Sequence, residues 1–362
     1  MSKAFEPYEL GGKRLANRLV MAPMTRARAY GQGKTPTPLM AEYYAQRASA
    51  GLIVTEATQP SVIGQGYPDS AGIHSAEQVE AWRQVTDAVH AKGGVIFLQL
   101  MHTGRAGHPS VIGDQQPVGP SAIAAAGKVY THDGLKDRVI PRELTEDEIR
   151  STIADFAAAA QNAIKAGFDG VELHGANGYL IHQFFAPNSN QRTDAWGGSP
   201  AKRTRFAVET ARAVAEAIGA DKVGFRISPG HPFNDVDESD AAETEATYTA
   251  LVEALAPMNL AYLHQVGAAG QEELTAKMRK TWPGTYILNP FTGKQPTGPD
   301  ALALIEDGTA DLIAYGAMFL ANPDLPARLA QDGPYNTPDP STFFGGDEKG
   351  FTDYPTLAEA GA

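Results

Sequence analysis

Three residues near the middle of the chain, His174, Asn177 and Tyr179, have the types and spacing to act on one small molecule. His174 and Asn177 stand three apart across a Gly-containing turn, so both side chains can converge on a single oxygen. Paired donors aimed at a carbonyl or nitro oxygen stabilise the negative charge that develops when a nucleophile attacks a conjugated alkene. Tyr179 adds a phenol able to give a proton to the carbon beside that group. The plainer reading of the same residues is a helix N-terminus capped by Asn177, with Tyr179 packed against the core.

Further polar groups stand at the ends of short apolar runs: Thr25 and Arg26, Glu56 and Thr58, Gln99 with His102 and Arg105, Arg226 with Ser228, and Tyr262 with His264. Taken singly, each has a structural explanation. Gln99 could satisfy a backbone group, and Arg226 could pair with a carboxylate on a neighbouring strand. Buried ionisable groups are rare without partners, so a ring of them at one mouth is hard to explain as packing and favours a site. Metal chemistry finds little support: His102, His174 and Glu56 are candidate ligands, but no H-x-H or H-E-x-x-H spacing occurs.

The elements that must position these groups follow from the apolar pattern. Eight short continuous runs recur at Leu19–Pro23, Leu52–Ala57, Val95–Leu100, Gly170–His174, Val223–Ser228, Leu260–Gln265, Thr285–Asn289 and Asp311–Gly316. Such runs suit parallel strands buried on both faces. Helix-like stretches lie between them. Ser75–Ala91 places Val79, Trp82, Val85 and Val89 on one face. Thr145–Ala166 opens with Thr145 and Glu148 at capping-box spacing. Pro200–Ala217, Ala241–Ala256 and Pro299–Glu306 read similarly. The alternation predicts an α/β fold, a single (β/α)₈ TIM barrel spanning residues 1–362. An open doubly wound sheet is the alternative, although no G-x-G-x-x-G follows any strand. Two segments depart from the alternation. A Gly- and Pro-rich excursion after the third strand, about 102–143, is expected to cap the site. An irregular tail, 333–362, is expected to pack on the barrel.

Composition narrows the function classes. The 362 residues carry a formal charge of −12 and no cysteine. An acidic chain without a basic cluster is a poor partner for nucleic acid or an anionic membrane. Disulfide, thiolate and Cys-ligated metal chemistry are excluded. No leader-like start or membrane-length apolar stretch stands out, which predicts a cytoplasmic protein, monomer or homodimer.

In order along the chain come Asn17-Arg18-Leu19-Val20-Met21-Ala22-Pro23-Met24-Thr25-Arg26, Ile53-Val54-Thr55-Glu56-Ala57-Thr58 and Leu98-Gln99-Leu100-Met101-His102-Thr103-Gly104-Arg105. There follow Gly170-Val171-Glu172-Leu173-His174-Gly175-Ala176-Asn177-Gly178-Tyr179, Arg226-Ile227-Ser228-Pro229 and Phe319-Leu320-Ala321-Asn322-Pro323-Asp324. From about residue 5 to 356 the chain resembles the old yellow enzymes, FMN-dependent ene-reductases. The resemblance implies that Pro23, Met24, Thr25 and Ala57 lie along the flavin, and that Gln99 bonds its pyrimidine edge. It also implies that Arg226 sits beside N1 and O2, that His174 and Asn177 bind the substrate's electron-withdrawing group, and that Tyr179 donates the proton. Tyr67, Met101 and Phe344 would line the substrate pocket. The implied reaction is ping-pong: NADPH or NADH reduces FMN and leaves, then an activated alkene enters the same space.

The sequence departs from the family where the FMN phosphate is expected, near Asn289, Gly316 and Ala317. Asn289 and Pro290 replace small residues of a Gly-rich turn, and Pro290 has no N–H to donate. Ala317 follows Gly316 where the family has Arg. Lys294 is a candidate substitute charge. Met101 stands where many relatives carry Trp, which predicts a roomier pocket. Two other readings keep the scaffold: a degenerate barrel that binds flavin weakly or not at all, and a flavin-dependent dehydrogenase or isomerase.

Overall fold

The computed structural model describes residues 2–360; Met1 and the last two positions of the tail, 361–362, lie outside the described residues. Eight strands, β1 (Leu19–Met21), β2 (Leu52–Val54), β3 (Ile96–Leu100), β4 (Gly170–Gly175), β5 (Val223–Ile227), β6 (Tyr262–Val266), β7 (Thr285–Asn289) and β8 (Leu312–Tyr315), pair in parallel and close on themselves. Closure settles the choice between barrel and open sheet. Each apolar run of the sequence holds one strand. The first runs two residues beyond its strand: the Ala22 N–H still donates to the Tyr315 carbonyl of β8 (3.0 Å), and Pro23 lies at the mouth.

The outer layer is α1 (Pro38–Gln46), α2 (Ala76–His90), α3 (Glu146–Lys165), α4 (Arg205–Ile218), α5 (Ala241–Leu255), α6 (Glu272–Thr281), α7 (Ala303–Glu306) and α8 (Leu325–Ala330). Capping boxes start α2 at Ser75 with Gln78 and α3 at Thr145 with Glu148; each satisfies two otherwise unpaired N–H groups. The helix expected from Pro200 is divided at Thr204 into a short turn, Pro200–Arg203, and α4. The Pro299 segment begins as a 3₁₀ turn before α7.

Strand periodicity then sorts the side chains. Leu19, Ile53, Leu98, Val171, Phe225, Leu263, Leu288 and Ile313 face outward into the helix layer. Val20, Leu52, Val54, Phe97, Tyr262, Ile287, Leu312 and Ala314 fill the lower barrel, where the N-terminal hairpin Tyr8–Leu10/Lys13–Leu15 adds Leu10 and Leu15. The alternation of two residues per repeat puts Gln99, Glu172, His174, Arg226, His264 and Asn289 on the inward face as well, above the apolar layer.

Between β3 and α3, residues 102–143 carry a hairpin, Lys128–Thr131/Gly134–Asp137, and a short parallel pair, Val118–Gly119 with Arg142–Glu143. The tail from 333 holds one 3₁₀ turn, Pro340–Thr342, and a terminal turn, Leu357–Ala360.

Candidate active site

A cavity of about 440 Å³ opens at the C-terminal ends of the strands, where barrel enzymes build their sites. Its wall brings together Pro23, Met24, Thr25 and Ala57 from the ends of β1 and β2, Gln99 and Met101 from β3, and His174, Asn177 and Tyr179 from β4. Arg226, Gly316 and Ala317 come from β5 and β8; Tyr67 and Phe344 come from outside the barrel. Arg26, Leu320 and Phe343 also line it, and the sequence reading gave none of them a role. No residue of 102–143 is part of the wall.

The β4 turn is shaped for display. Asn177 has φ +56°, a left-handed conformation that Asn tolerates better than most residues. Its N–H donates to Ser228 Oγ (2.8 Å), and its carbonyl accepts from Asn234 Nδ2 (2.8 Å). The next N–H, of Gly178, donates to His182 Nδ1 (2.9 Å). His182 is in turn held by Glu238 Oε1 (3.0 Å) and the Tyr248 hydroxyl (3.0 Å). A Cβ on Gly178 would meet the Phe233 carbonyl at 2.2 Å, so only Gly fits there. The short helix Leu180–Phe185 is preceded by Tyr179 and has no side-chain cap. Asn177 therefore is not its cap, and its carboxamide, with Oδ1 buried and unbonded, is left for a ligand.

Electrostatics set the protonation of this wall. Burial, with the charge of Arg226 and the nearby His182 and His264, holds His174 well below the usual imidazole range, so the ring is neutral. Its Nδ1 accepts the Ala176 N–H (3.3 Å), which places the ring proton on Nε2. Burial, reinforced by the Tyr67 phenol, holds Tyr179 well above the usual phenol range; the hydroxyl stays protonated, 2.7 Å from the Tyr67 hydroxyl. Arg226 Nη2 reaches Asn289 Oδ1 (3.4 Å), while its Nε is buried without a partner. Unpaired buried polar atoms are costly unless a ligand completes them; the Arg226 Nε–H is such a donor and Asn177 Oδ1 such an acceptor.

A family model described as the NADH:flavin oxidoreductase / NADH oxidase family matches residues 3–336. The chain belongs to this family. It is 43% identical over 366 residues to 12-oxophytodienoate reductase 1 of Oryza sativa subsp. japonica, a match covering 98% of this chain and 93% of that protein. The old yellow enzyme homologue of Zymomonas mobilis superposes with a TM-score of 0.93 at 40% identity, covering 98% of this chain and all of that one. Morphinone reductase in complex with tetrahydroNAD gives 0.92 at 43% identity, covering 99% and 98%. The protein is an FMN-dependent NAD(P)H oxidoreductase of the old yellow enzyme type.

The donor set fits the FMN ring. The cavity wall combines Pro23, Met24, Thr25 and Ala57 with the hydrogen-bonding groups of Gln99 and Arg226, a set suited to an apolar ring with a polar edge. The phosphate end fits differently from the family pattern. Asn289, expected among the cofactor residues, does not line the cavity: its carboxamide is taken by Arg226, Thr297 and the Ala314 carbonyl. Pro290 lines a separate depression beside α6. Gly316 and Ala317 do reach the wall, and the wall's cations are Arg26 and Arg226. Lys294 is exposed, on the turn after β7. Among the described residues there is no cluster of three or more His, Cys, Asp or Glu suited to a metal, and no helix long and apolar enough to cross a membrane.

Proposed function

We propose that this flavoenzyme reduces the activated carbon–carbon double bond of α,β-unsaturated carbonyl or nitro compounds, with Tyr179 as proton donor. The observation that carries the reading is the convergence on one wall of the neutral His174 Nε2–H, the uncommitted Asn177 carboxamide and the protonated Tyr179 hydroxyl. FMN, when bound, would supply the hydride for the alkene β-carbon, having been recharged by NADPH or NADH. His174 and Asn177 hold the substrate's carbonyl or nitro oxygen and stabilise the negative charge that gathers there. Tyr179 transfers its proton to the α-carbon, completing the saturated product. Pro23, Met24, Thr25 and Ala57, which line the cavity, would hold the flavin. Tyr67, Met101 and Phe344 bound the space for the alkene's substituents.

The 102–143 excursion serves this site from behind the wall. Arg138 Nη2 donates to Asn234 Oδ1 (2.6 Å), and Asn234 holds the Asn177 carbonyl, so the excursion steadies the substrate-binding turn. The test is anaerobic. FMN-loaded protein should bleach with NADPH, and a cyclic enone added afterwards should restore the flavin colour with one equivalent of saturated ketone. Bleaching without reoxidation by any enone or nitroalkene would refute the assignment.

A further inference from the structure

Directly beneath the cavity lies a carboxylate that none of these roles uses. Glu172, on the inward face of β4, is fully buried and accepts three hydrogen bonds. Gln99 Nε2 donates to its Oε1 (2.8 Å); His264 Nδ1 (2.8 Å) and the Tyr262 hydroxyl (3.1 Å) donate to its Oε2. Residue 224 is Gly, and a Cβ there would lie 2.1 Å from the Tyr262 ring; its absence lets the phenol reach Glu172. Burial opposes ionisation of Glu172, but His264, Arg226 and Gln99 outweigh it and keep the carboxyl below its ordinary range. Burial lowers the pKa of His264, while the charge of Glu172 and the hydrogen bond to it act in the opposite direction. The Glu172 carboxylate thus stands within electrostatic reach of the Arg226 guanidinium.

An ionised carboxylate has acceptors only, so the Gln99 amide can face it only through its NH₂. Gln99 Oε1 is then the end left for the cavity that Gln99 lines. We propose that Glu172 is a positioning residue that turns the acceptor end of Gln99 to the cavity and offsets Arg226, so that the floor selects a ring edge presenting an N–H between carbonyls. The flavin pyrimidine edge has that pattern, and the inference rests on the FMN assignment above.

Glu172→Gln tests it, because a neutral amide of the same shape can either donate to Gln99 or accept from it. FMN affinity, read by flavin fluorescence quenching, should weaken about tenfold, the cost of one buried bond. The midpoint potential of the bound flavin, from redox titration with reference dyes, should move positive because Arg226 is no longer offset. Adding Gln99→Glu to that variant returns an acceptor and a negative charge to the floor; affinity should recover and the potential should fall back. A Glu172 that merely supports the fold predicts neither the potential shift nor the rescue. Unchanged affinity and potential in E172Q would overturn this inference alone, whereas wild-type protein that fails to bind FMN would overturn the functional assignment with it. If E172Q does not fold, neutron diffraction from FMN-loaded wild-type crystals decides. Deuterons on the Gln99 atom facing Glu172 support the proposal, and deuterons on the opposite atom refute it.

Discussion

The role proposed for Tyr179 separates the two half-reactions. Because its hydroxyl stays protonated and the proposed role is proton donation to the alkene alone, Tyr179→Phe should slow enone-dependent reoxidation by about 10²–10⁴-fold while reduction by NADPH keeps its rate. Stopped-flow absorbance separates the two. Met101 lines the same space with a flexible side chain, so Met101→Trp should lower kcat/KM for bulky cyclic enones more than for small ones. Equal effects on every ring size would show that position 101 does not bound the pocket. At the phosphate end, Lys294 is exposed on the β7 turn and free to swing toward an anion. Lys294→Ala should weaken FMN about 10-fold, near the value of a single charged contact, and leave riboflavin binding unchanged. At this scale the motif residues were legible because their types are costly at buried strand ends. Glu172 carried a signal that went unused: an acid inside an apolar strand, two residues before His174 and on the same face. Asn289 was placed on the inward face by its strand position, and what the pattern could not show is that its carboxamide is shared among Arg226, Thr297 and the Ala314 carbonyl.

Among elements, the tail is the one whose attachment depends on a few side chains. Arg26 donates to the carbonyls of Phe343 (2.9 Å), Thr342 (3.2 Å) and Gly350 (2.7 Å), and Arg28 donates to Asp347 (3.0 Å) and Thr342 (3.2 Å). These bonds bring Phe343 and Phe344 to the cavity. Arg26→Ala strands buried carbonyls and frees the aromatic pair. It should cost about 3 kcal/mol by urea denaturation and raise KM for the alkene more than it lowers kcat. The strands and the two capping-box helices were readable from local pattern. Three helices were not singled out. α1 buries the adjacent Tyr43 and Tyr44, which blurs its face; α6 is charged at both ends; and α8 has Pro326 in its first turn. The break at Thr204 has no sequence signal that we can identify.

For the whole molecule, buried titratable groups shape the response to pH. Burial lowers His102 to about 4 and His174 and His264 below their ordinary value of 6.5. Their contribution is complete above about pH 6.5 and is lost as pH falls, because the unfolded chain takes up protons that the folded chain refuses. Glu56, buried and raised to about 7, works the other way: its contribution holds below its unfolded value of 4.5 and is lost as pH rises through 7. Thermal midpoints should therefore fall between about pH 6.5 and 4.5, less steeply in His102→Gln. Glu56→Gln should flatten the decline that Glu56 imposes between about pH 5 and 7.5. By itself, the sequence determined eight both-face-buried runs alternating with amphipathic segments, a parallel α/β fold, and it marked the polar residues at the strand ends, whose side chains are costly to bury unpaired. Only the tertiary structure decided which partners those side chains took: that Glu172 lies beside Gln99, that Arg26 ties the tail to the mouth, and that the Asn289 carboxamide is engaged by Arg226, Thr297 and the Ala314 carbonyl. The closed barrel was settled there as well. Periodicity assigns a residue to a face, whereas pairing across a closed barrel depends on the register of strands far apart in the chain, which no local pattern encodes.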